Sequence, residues 1–265
     1  MRPAWRKYEM HCFSFDIETV PDVEFGRRMW DLGDLPDEEV ATVMTFKQLQ
    51  KSGSEFLSLH QHRVVAISVA LRTGDSFRVW SLGDEDADEA ELVRRFFDGI
   101  ERYSPDLVSW NGSGFDLPVL HYRALKLGIQ APRYWETGDS DREFKWNNYL
   151  SRFHWRHVDL MDVLAGFQVR GRASLDQTAV LLGFPGKLGM SGDKVWDKFV
   201  AGAIGEIRDY CETDVLNTWL IFLRFEFMRG NLDAVGLKRE YQLVRDTLTS
   251  MDRPHLNEFL AAWAG

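Results

Sequence analysis

Cysteine, long apolar runs and excess positive charge are all scarce in this chain of 265 residues. Two cysteines, Cys12 and Cys211, are too few for the disulfide framework of a small secreted domain. The longest apolar stretches, such as residues 64–71, have the length of a strand and cannot span a bilayer. The basic segment 1–10 lacks the apolar centre of a secretory signal. We therefore expect a cytoplasmic protein with no membrane partner.

Acidic residues outnumber basic ones by 41 to 32, which gives a net charge of −9. This balance excludes a basic field over the whole surface that would bind nucleic acid generally, but not a local grip on one strand end. Part of the excess lies at 84–91, where carboxylates are typical of a solvated helix start. The chain is otherwise 45% hydrophobic and 13% aromatic, which is the composition of a folded globular protein.

The spacing of apolar residues predicts an α/β fold with a mostly helical C-terminal half. We predict strands at 11–17, 64–71, 77–82 and 107–110. We predict helices at 89–103, 116–127, 160–167, 175–182, 195–201 and about 206–228, with two more on the outside after residue 231. The order β-β-β-α-β-α is similar to the mixed sheet of the ribonuclease-H-like architecture. We expect a single domain over 1–265, with insertions at about 22–62 and 133–157 and a helical extension at about 231–265.

Carboxylates occur on otherwise apolar elements in three separate segments. Asp16 and Glu18 are two residues apart on a predicted strand and therefore face the same side. Asp116 follows a Gly-Ser-Gly loop at a helix start, and Tyr210 and Asp214 share one face of the long helix. Converging buried carboxylates repel each other unless a cation compensates them. An oxygen-only set of ligands suits Mg²⁺ or Mn²⁺.

The three segments read Asp-Ile-Glu-Thr at 16–19, Asn-Gly-Ser-Gly-Phe-Asp-Leu-Pro at 111–118 and Tyr-Cys-Glu-Thr-Asp at 210–214. Together they resemble the DEDD exonucleases of the DnaQ-like superfamily, in the subgroup with a tyrosine in the third motif. The chain is most similar to predicted stand-alone exonucleases related to the proofreading domain of family B DNA polymerases. The resemblance covers about residues 13–229 and includes Gly-Phe-Pro-Gly-Lys-Leu-Gly at 183–189.

This resemblance implies a metal-dependent 3′–5′ exonuclease that releases nucleoside 5′-monophosphates from single-stranded DNA or RNA, with DNA favoured. Asp16, Glu18 and Asp214 would hold the first of two divalent ions, Mg²⁺ or Mn²⁺. Asp16 would bridge to the second ion, and Asp116 would contribute directly or through water. Tyr210 would orient the attacking water.

Each of these residues has a simpler alternative. Asp16 and Glu18 could pair with arginines at a strand end, and Asp116 could cap a helix N-terminus, alone or in addition to metal binding. Tyr210 could be a core tyrosine whose hydroxyl is satisfied elsewhere. Asp214 is the hardest to explain without a cation, because the surrounding helix is apolar.

Four further polar residues are tempting additions to the site. Asp159 and Asp162 open a predicted helix, so we interpret them as caps in preference to metal ligands. His60 and His62 flank a strand start, and we interpret them as structural or surface residues because the ligand set is complete without them.

Candidate substrate-binding residues lie in four places, the last of which is the segment 133–157. Asn111 and Phe115 belong to the second motif, and Lys187 on its glycine-rich turn could contact a phosphate. Arg170 and Arg172, in the turn before Ser174, could contact the nucleic-acid backbone.

The segment 133–157 interleaves seven aromatic residues with basic ones, which suits stacking and phosphate contact with a single strand. Trp135 and Trp146 are the candidate stacking residues. In the alternative interpretation, at least half of the seven rings belong to the core.

Two other functions fit the same chain. One is a nucleic-acid-binding module that keeps the fold without turnover, although such a binder would gain from losing carboxylates near phosphates. The other is a proofreading subunit whose substrate is delivered by a polymerase, within DNA repair or replication.

Overall fold

The computed structural model describes residues 11–263, in which five strands form a mixed sheet with helices on both faces. The strands are β1 (Cys12–Pro21), β2 (His62–Thr73), β3 (Ser76–Ser81), β4 (Asp106–Ser109) and β5 (His157–Asp159), in the spatial order β3-β2-β1-β4-β5. The first three strands are antiparallel neighbours, whereas β1, β4 and β5 are parallel. This sheet confirms the predicted ribonuclease-H-like α/β fold. The segment 1–10 and residues 264–265 lie outside the described part of the chain.

The helices of the described residues are α1 (Val23–Trp30), α2 (Asp37–Ser52), α3 (Glu89–Tyr103), α4 (Asp116–Leu127), α5 (Pro132–Trp135), α6 (Leu160–Leu164), α7 (Leu175–Leu181), α8 (Val195–Val200), α9 (Ile204–Met228), α10 (Ala234–Met251) and α11 (Pro254–Ala262). The predicted bounds of α3 and α4 are confirmed. The helix predicted at 160–167 ends early, at Leu164. The sequence pattern missed β5, which is only three residues long and follows the segment interpreted as an insertion.

Strand β1 divides its side chains between two cores. Phe13, Phe15 and Ile17 face one side of the sheet and belong to a core that includes buried residues of α3 and α4. Cys12 faces the other side and joins a core built largely on α9. Because side chains alternate along a strand, Asp16 lies on the α9 side of the sheet.

The two C-terminal helices are more than an outer layer. Leu237 and Leu248 of α10 and Phe259 of α11 are buried in the core on the α9 side. Arg72 of β2 forms a buried ion pair with Glu240 of α10, at 2.7 Å between Nε and Oε2. The predicted helical extension therefore completes the core of the sheet.

The acidic run before α3 is not entirely solvated, contrary to the expectation. Asp88 caps α3 by accepting the Glu91 N–H. Glu89, however, is buried and pairs with Arg123 of α4, which also pairs with Asp22 at the end of β1. These ion pairs could not be predicted from the sequence, because the partners lie on distant segments.

The two predicted insertions differ in character. Residues 22–62 connect β1 to its neighbour β2 through α1 and α2, which have a small core of their own around Val40, Met44 and Leu57. Residues 133–157 carry little regular structure. Three of its seven aromatic rings are buried, namely Tyr134, Phe144 and Tyr149. The other four are exposed, namely Trp135, Trp146, Phe153 and Trp155. Slightly fewer than half of the rings therefore belong to the core, which is somewhat fewer than expected.

None of the helices between residues 11 and 263 combines the length and apolarity needed to cross a bilayer. Cys12 and Cys211 are both buried, and neither forms a disulfide.

Candidate active site

The site forms where β1 loses a neighbouring strand. The parallel partner β4 pairs only with Cys12–Ser14, so the next part of β1 has no strand on that side. The Asp116 carboxylate at the start of α4 takes the place of the missing strand, because its Oδ1 accepts the Ile17 N–H at 3.2 Å. Phe115, not Asp116, is the residue that precedes the helix. The Asp116 side chain therefore binds to β1 between Asp16 and Glu18, and its capping role is not what the structure shows.

The structure brings the four acidic residues of the motifs together, which their spacing alone had shown only to be feasible. The pKa of Asp16 is raised well above its usual range by burial and then by the charges of Asp116, Glu18 and Asp214. Burial likewise raises the pKa of Glu18, and the charges of Asp214 and Asp116 add to the effect. Residues from β1, α4 and α9 thus form one carboxylate cluster, defined as Asp16, Glu18, Asp116 and Asp214.

The other two members of the carboxylate cluster are perturbed in the same direction. Burial raises the pKa of Asp116 to about 7. Burial also raises the pKa of Asp214 to about 6, although the Tyr210 hydroxyl and the Lys187 ammonium act in the opposite sense. Ionising the whole cluster without a compensating cation is therefore unfavourable near neutral pH.

Within the described residues the carboxylate cluster has no ion-pair partner, so the alternative of arginine pairing at Asp16 and Glu18 is not realised. Asp214 Oδ1 is buried and has no hydrogen-bond partner. A buried carboxylate oxygen without a partner is costly unless something else binds it. The chemistry of this donor set fits a hard divalent cation.

Cys211 is a neighbour that the sequence motifs did not single out. Its thiol lies 3.4 Å from the Asp16 carbonyl oxygen and 3.6 Å from Asp16 Oδ2. Its sulfur and one oxygen each from Asp16 and Glu18 all lie within 4.8 Å of one another. The position one residue after Tyr210, in an apolar helix, gave no signal beyond core packing.

Tyr210 lies one helical turn before Asp214, and its hydroxyl is directed at the carboxylate cluster. Its pKa is raised by burial and by the charges of Asp214, Glu18 and Asp16, so the hydroxyl stays protonated and can donate a hydrogen bond. The ring also lines a cavity of about 290 Å³ together with Thr213 and Leu188. The hydrogen bond between the Tyr210 hydroxyl and Asp214 favours the functional interpretation over that of a core tyrosine whose hydroxyl is satisfied elsewhere.

The loop before Asp116 is held in place by a residue that we interpreted only as a cap. Asp159, at the end of β5, accepts the N–H groups of Asn111 at 3.0 Å and Ser113 at 2.9 Å. It also caps α6, as expected, by accepting the Asp162 N–H. The loop is tight, since a Cβ on Gly112 would lie 2.2 Å from Ser109 Oγ. Recognising β5 would have revealed Asp159, because β4 and β5 end side by side.

The other predicted binding residues are placed as follows. Arg172 pairs with buried Asp162 at 2.6 Å, so its guanidinium has a structural partner, whereas Arg170 is exposed. Trp135 packs against His121, and Trp146 lies under the Lys145 ammonium. None of these contacts reaches the carboxylate cluster.

His62 is structural, in agreement with its sequence interpretation. Its Nδ1 lies 2.9 Å from Thr19 Oγ1, and its Nε2 lies 3.2 Å from the Leu57 carbonyl oxygen. His60 is exposed and packs between Phe25 and Tyr122.

Lys187 lies on a turn that is anchored from α7 and α9. Its N–H donates to Asp176 Oδ1, and the Asn217 side chain binds both the N–H and the carbonyl of Gly186. Gly186 has a φ of +67°, and a Cβ there would lie 2.6 Å from Asp176 Oδ1. The Lys187 charge partly opposes the rise in the pKa of Glu18, which places the ammonium within electrostatic reach of the cluster. Asn217 was missed, although it lies one turn after Asp214.

A second group of acids, Asp209 and Glu212, has basic partners among the described residues. Asp209 and Glu212 of α9 both contact His255 and Arg253. The Glu212 pKa is lowered by these partners despite burial. These contacts make the group a structural ion network between α9 and α11.

Several DNA polymerases are similar to parts of this chain. A DNA polymerase of Pyrococcus glycovorans is 33% identical over 142 residues, which are 49% of this chain and 18% of that polymerase. A DNA polymerase of Thermococcus litoralis is 28% identical over 46% of this chain and 6% of its own length. DNA polymerase 1 of Sulfurisphaera ohwakuensis is 56% identical over 41 residues, 16% of this chain and 5% of that protein. The chain thus spans less than a fifth of the length of these relatives.

A family model matches residues 54–263, which is most of the chain. It is described as a predicted 3′–5′ exonuclease related to the exonuclease domain of PolB. The relatives and the site geometry point in the same direction. The chain belongs to this family of PolB-related predicted 3′–5′ exonucleases.

Proposed function

We propose that this protein is a 3′–5′ exonuclease that hydrolyses the terminal phosphodiester bond of single-stranded nucleic acid, DNA in preference to RNA, and releases nucleoside 5′-monophosphates. Family membership supports the nuclease class. The observation that carries the proposal is the carboxylate cluster, in which Glu18, Asp116 and Asp214 are buried and Asp16 is partly buried. It has no ion-pair partner among the described residues and includes the unsatisfied Asp214 Oδ1.

Asp16, Glu18, Asp116 and Asp214 are the residues that would hold two divalent ions, Mg²⁺ or Mn²⁺. When bound, such ions supply positive charge against the scissile phosphate and lower the pKa of the attacking water. The protein's part is to fix the carboxylates rigidly, and the bond from Ile17 to Asp116 does so across two elements. The negative net charge of the chain is then no obstacle, because the charge opposing the phosphate is local.

Tyr210 is the proposed positioning group for the attacking water. Its protonated hydroxyl can donate to or accept from a water beside Asp214, but it does not act as a base. Lys187 is the proposed contact for the non-bridging phosphate oxygens, since its charge is felt at Glu18 and Asp214. Asn111 and Phe115 are the proposed contacts for the terminal nucleotide, because their loop leads directly into Asp116.

The substrate is proposed to be single-stranded because a terminal phosphate must enter a cleft among side chains from β1, α4 and α9. A paired end would first have to separate its bases, which costs free energy. We further propose that residues 1–265 act as one exonuclease domain, since α10 and α11 complete the core that supports the cluster.

The test is the degradation of 5′-labelled DNA and RNA oligonucleotides with Mg²⁺, with Mn²⁺ and with a chelator. We expect a ladder that shortens from the 3′ end only with metal, and no ladder from Asp16→Asn. A ladder that is independent of metal, or that survives Asp16→Asn, would overturn the proposal.

A proofreading subunit that depends on a polymerase in repair or replication is the second candidate, favoured by the polymerase relatives. The same assay separates the two, because a dependent subunit would degrade oligonucleotides only after a DNA polymerase is added.

A further inference from the structure

Three aromatic rings meet close to residues that adjoin the carboxylate cluster in the chain, and two of them come from the insertion at 22–62. Phe56 lies 5.6 Å from Phe115 and 5.4 Å from His62 between ring centroids. Phe115 and His62 are 5.1 Å apart with their planes nearly perpendicular, at 89°. We refer to Phe56, His62 and Phe115 as the aromatic platform.

The aromatic platform is attached to the proposed reaction centre at two points. Phe115 is the residue immediately before Asp116. His62 is bonded to the Thr19 hydroxyl, and Thr19 follows Glu18 on β1. The platform is therefore held at a fixed position relative to two members of the carboxylate cluster.

The outer ring of the aromatic platform is open to solvent. The Phe56 residue is 61% exposed, whereas the adjacent Leu57 is 5% exposed and anchors the segment in the small core of the insertion. Phe56 thus presents an apolar ring to solvent, and its buried neighbour Leu57 holds the segment in place. Exposed aromatic rings on a fixed support are how proteins stack unpaired bases without reading their sequence.

We infer that Phe56 extends the proposed exonuclease site and, with Phe115, forms the surface on which the base of the 3′-terminal nucleotide stacks. This inference rests on the proposed function. It makes the insertion at 22–62 part of substrate recognition, with a preference for unpaired bases of any identity. A paired terminal base would have to leave its partner to reach Phe56.

The kinetic test uses Phe56→Ala and two oligonucleotides that differ only at the 3′ end, one terminating in thymidine and the other in an abasic residue. For the thymidine end we expect KM to rise about 10- to 100-fold, with kcat nearly unchanged. For the abasic end, wild type and Phe56→Ala should have the same KM. Phe56→Tyr should restore the wild-type KM, because a tyrosine ring still stacks. Phe46→Ala is the matched control, since Phe46 is a 55% exposed ring on α2 of the same insertion.

A binding test works without turnover. In an Asp16→Asn background, fluorescence anisotropy should give a Kd for the thymidine-ended strand that Phe56→Ala weakens by the same factor. Photolysis of a strand ending in 5-iododeoxyuridine should crosslink the peptide that contains Phe56.

The outcomes separate the inference from the proposed function. An active enzyme in which Phe56→Ala matches wild type, or weakens both strand ends equally, overturns the stacking role alone. A wild type that degrades no oligonucleotide but shows the Phe56-dependent preference for a terminal base overturns exonuclease turnover and supports the platform. A crosslink confined to a different surface, with Kd unchanged in Phe56→Ala, shows that Phe56 serves another occupant and overturns the inference.

Discussion

Two acidic clusters lie near strand β1, and they differ in whether they contain a cationic partner. The carboxylate cluster of the site has no cationic partner in an ion pair within residues 11–263, and the pKa of each of its members is raised. The second cluster, Asp22 with Glu89, encloses the Arg123 guanidinium. Burial favours a raised pKa at Asp22 as well, but hydrogen bonds from Arg123 and Lys126 more than offset it and lower the pKa.

The comparison shows that burial of acids is not by itself a sign of function. Asp16 and Asp22 both belong to the β1 region and both are directed inward, yet only Asp22 meets a guanidinium. The cluster that contains the Arg123 guanidinium links the end of β1, α3 and α4 through ion pairs. The carboxylate cluster, which has none among the described residues, is the proposed binding site for cations from solution, and the predictions below test this difference.

The largest effect is expected for Asp16→Asn. Loss of this carboxylate should reduce exonuclease turnover by at least about 10⁴-fold, because it removes a ligand needed by both proposed ions. The measurement is the rate of release of 5′-monophosphate from a labelled strand under single-turnover conditions. Without metal the variant should melt at or above the wild-type temperature, since a like charge has been removed. A melting temperature well below wild type would mean that Asp16 supports the fold instead.

Arg123→Met should have the next largest effect, this time on stability. It leaves Glu89 buried without a cationic partner and Asp22 with Lys126 alone, which should lower the free energy of unfolding by about 3–5 kcal/mol. Urea unfolding monitored by tryptophan fluorescence measures it. The control is Arg95→Met, because the Arg95–Glu91 pair is exposed and should contribute at most about 1 kcal/mol. Equal losses from the two variants would contradict the structural role of the second cluster.

Tyr210→Phe should reduce turnover by about 10- to 100-fold, since the ring still packs but no hydroxyl positions the water. Metal-induced thermal stabilisation should be unchanged, because Tyr210 is not a proposed ligand. Isothermal titration with Mn²⁺ provides the second readout. Wild-type turnover in Tyr210→Phe would remove the residue from the mechanism.

The smallest expected effect is the change in the free energy of unfolding per pH unit. Its sign differs between the two clusters. The raised pKa values of Asp116 and Asp214 mean that, without metal, the folded state binds more protons than the unfolded state between about pH 4 and 7. Stability should therefore fall as pH rises through this window, by up to about 1.4 kcal/mol per pH unit for each group. The lowered pKa of Asp22 acts oppositely, and its contribution is lost only as the solution becomes acidic.

Calorimetry between pH 5 and 8 checks this prediction. Asp116→Asn should flatten the decline, and saturating Mn²⁺ should abolish it. A melting temperature that rises steadily with pH in the metal-free protein would contradict it.

The sequence predicted those parts of the fold whose signals are local. Helices α3 and α4 were delimited correctly because Asp88 and Gly128 cap them within a few residues of the apolar pattern. The five motif residues were grouped by strand and helix spacing together with the family resemblance, and the structure does bring them together. Their catalytic roles stay predictions.

What the sequence could not predict depends on contacts between distant segments. Glu89 was assigned to solvent because its partner Arg123 lies 34 residues away. Asp159 was predicted only as a helix cap, because β5 is too short to be recognised from the sequence. The hydrogen bond that it accepts from the Asn111 N–H was therefore not predicted. Phe56 does not belong to a helical or strand pattern of apolar residues, so nothing in the sequence singled it out. Its position beside Phe115 is evident only in the folded insertion.

The buried ion pair between Arg72 and Glu240 has a consequence for how the protein folds during its synthesis. The partners are separated by 168 residues, so Arg72 on a central strand waits for Glu240 while the intervening chain is synthesised. At about 5–20 residues per second, this interval lasts roughly 10–30 s. During that time the nascent sheet would expose an unpaired guanidinium and the apolar face that α10 later covers. This side of the sheet is therefore completed only after α10 has left the ribosome.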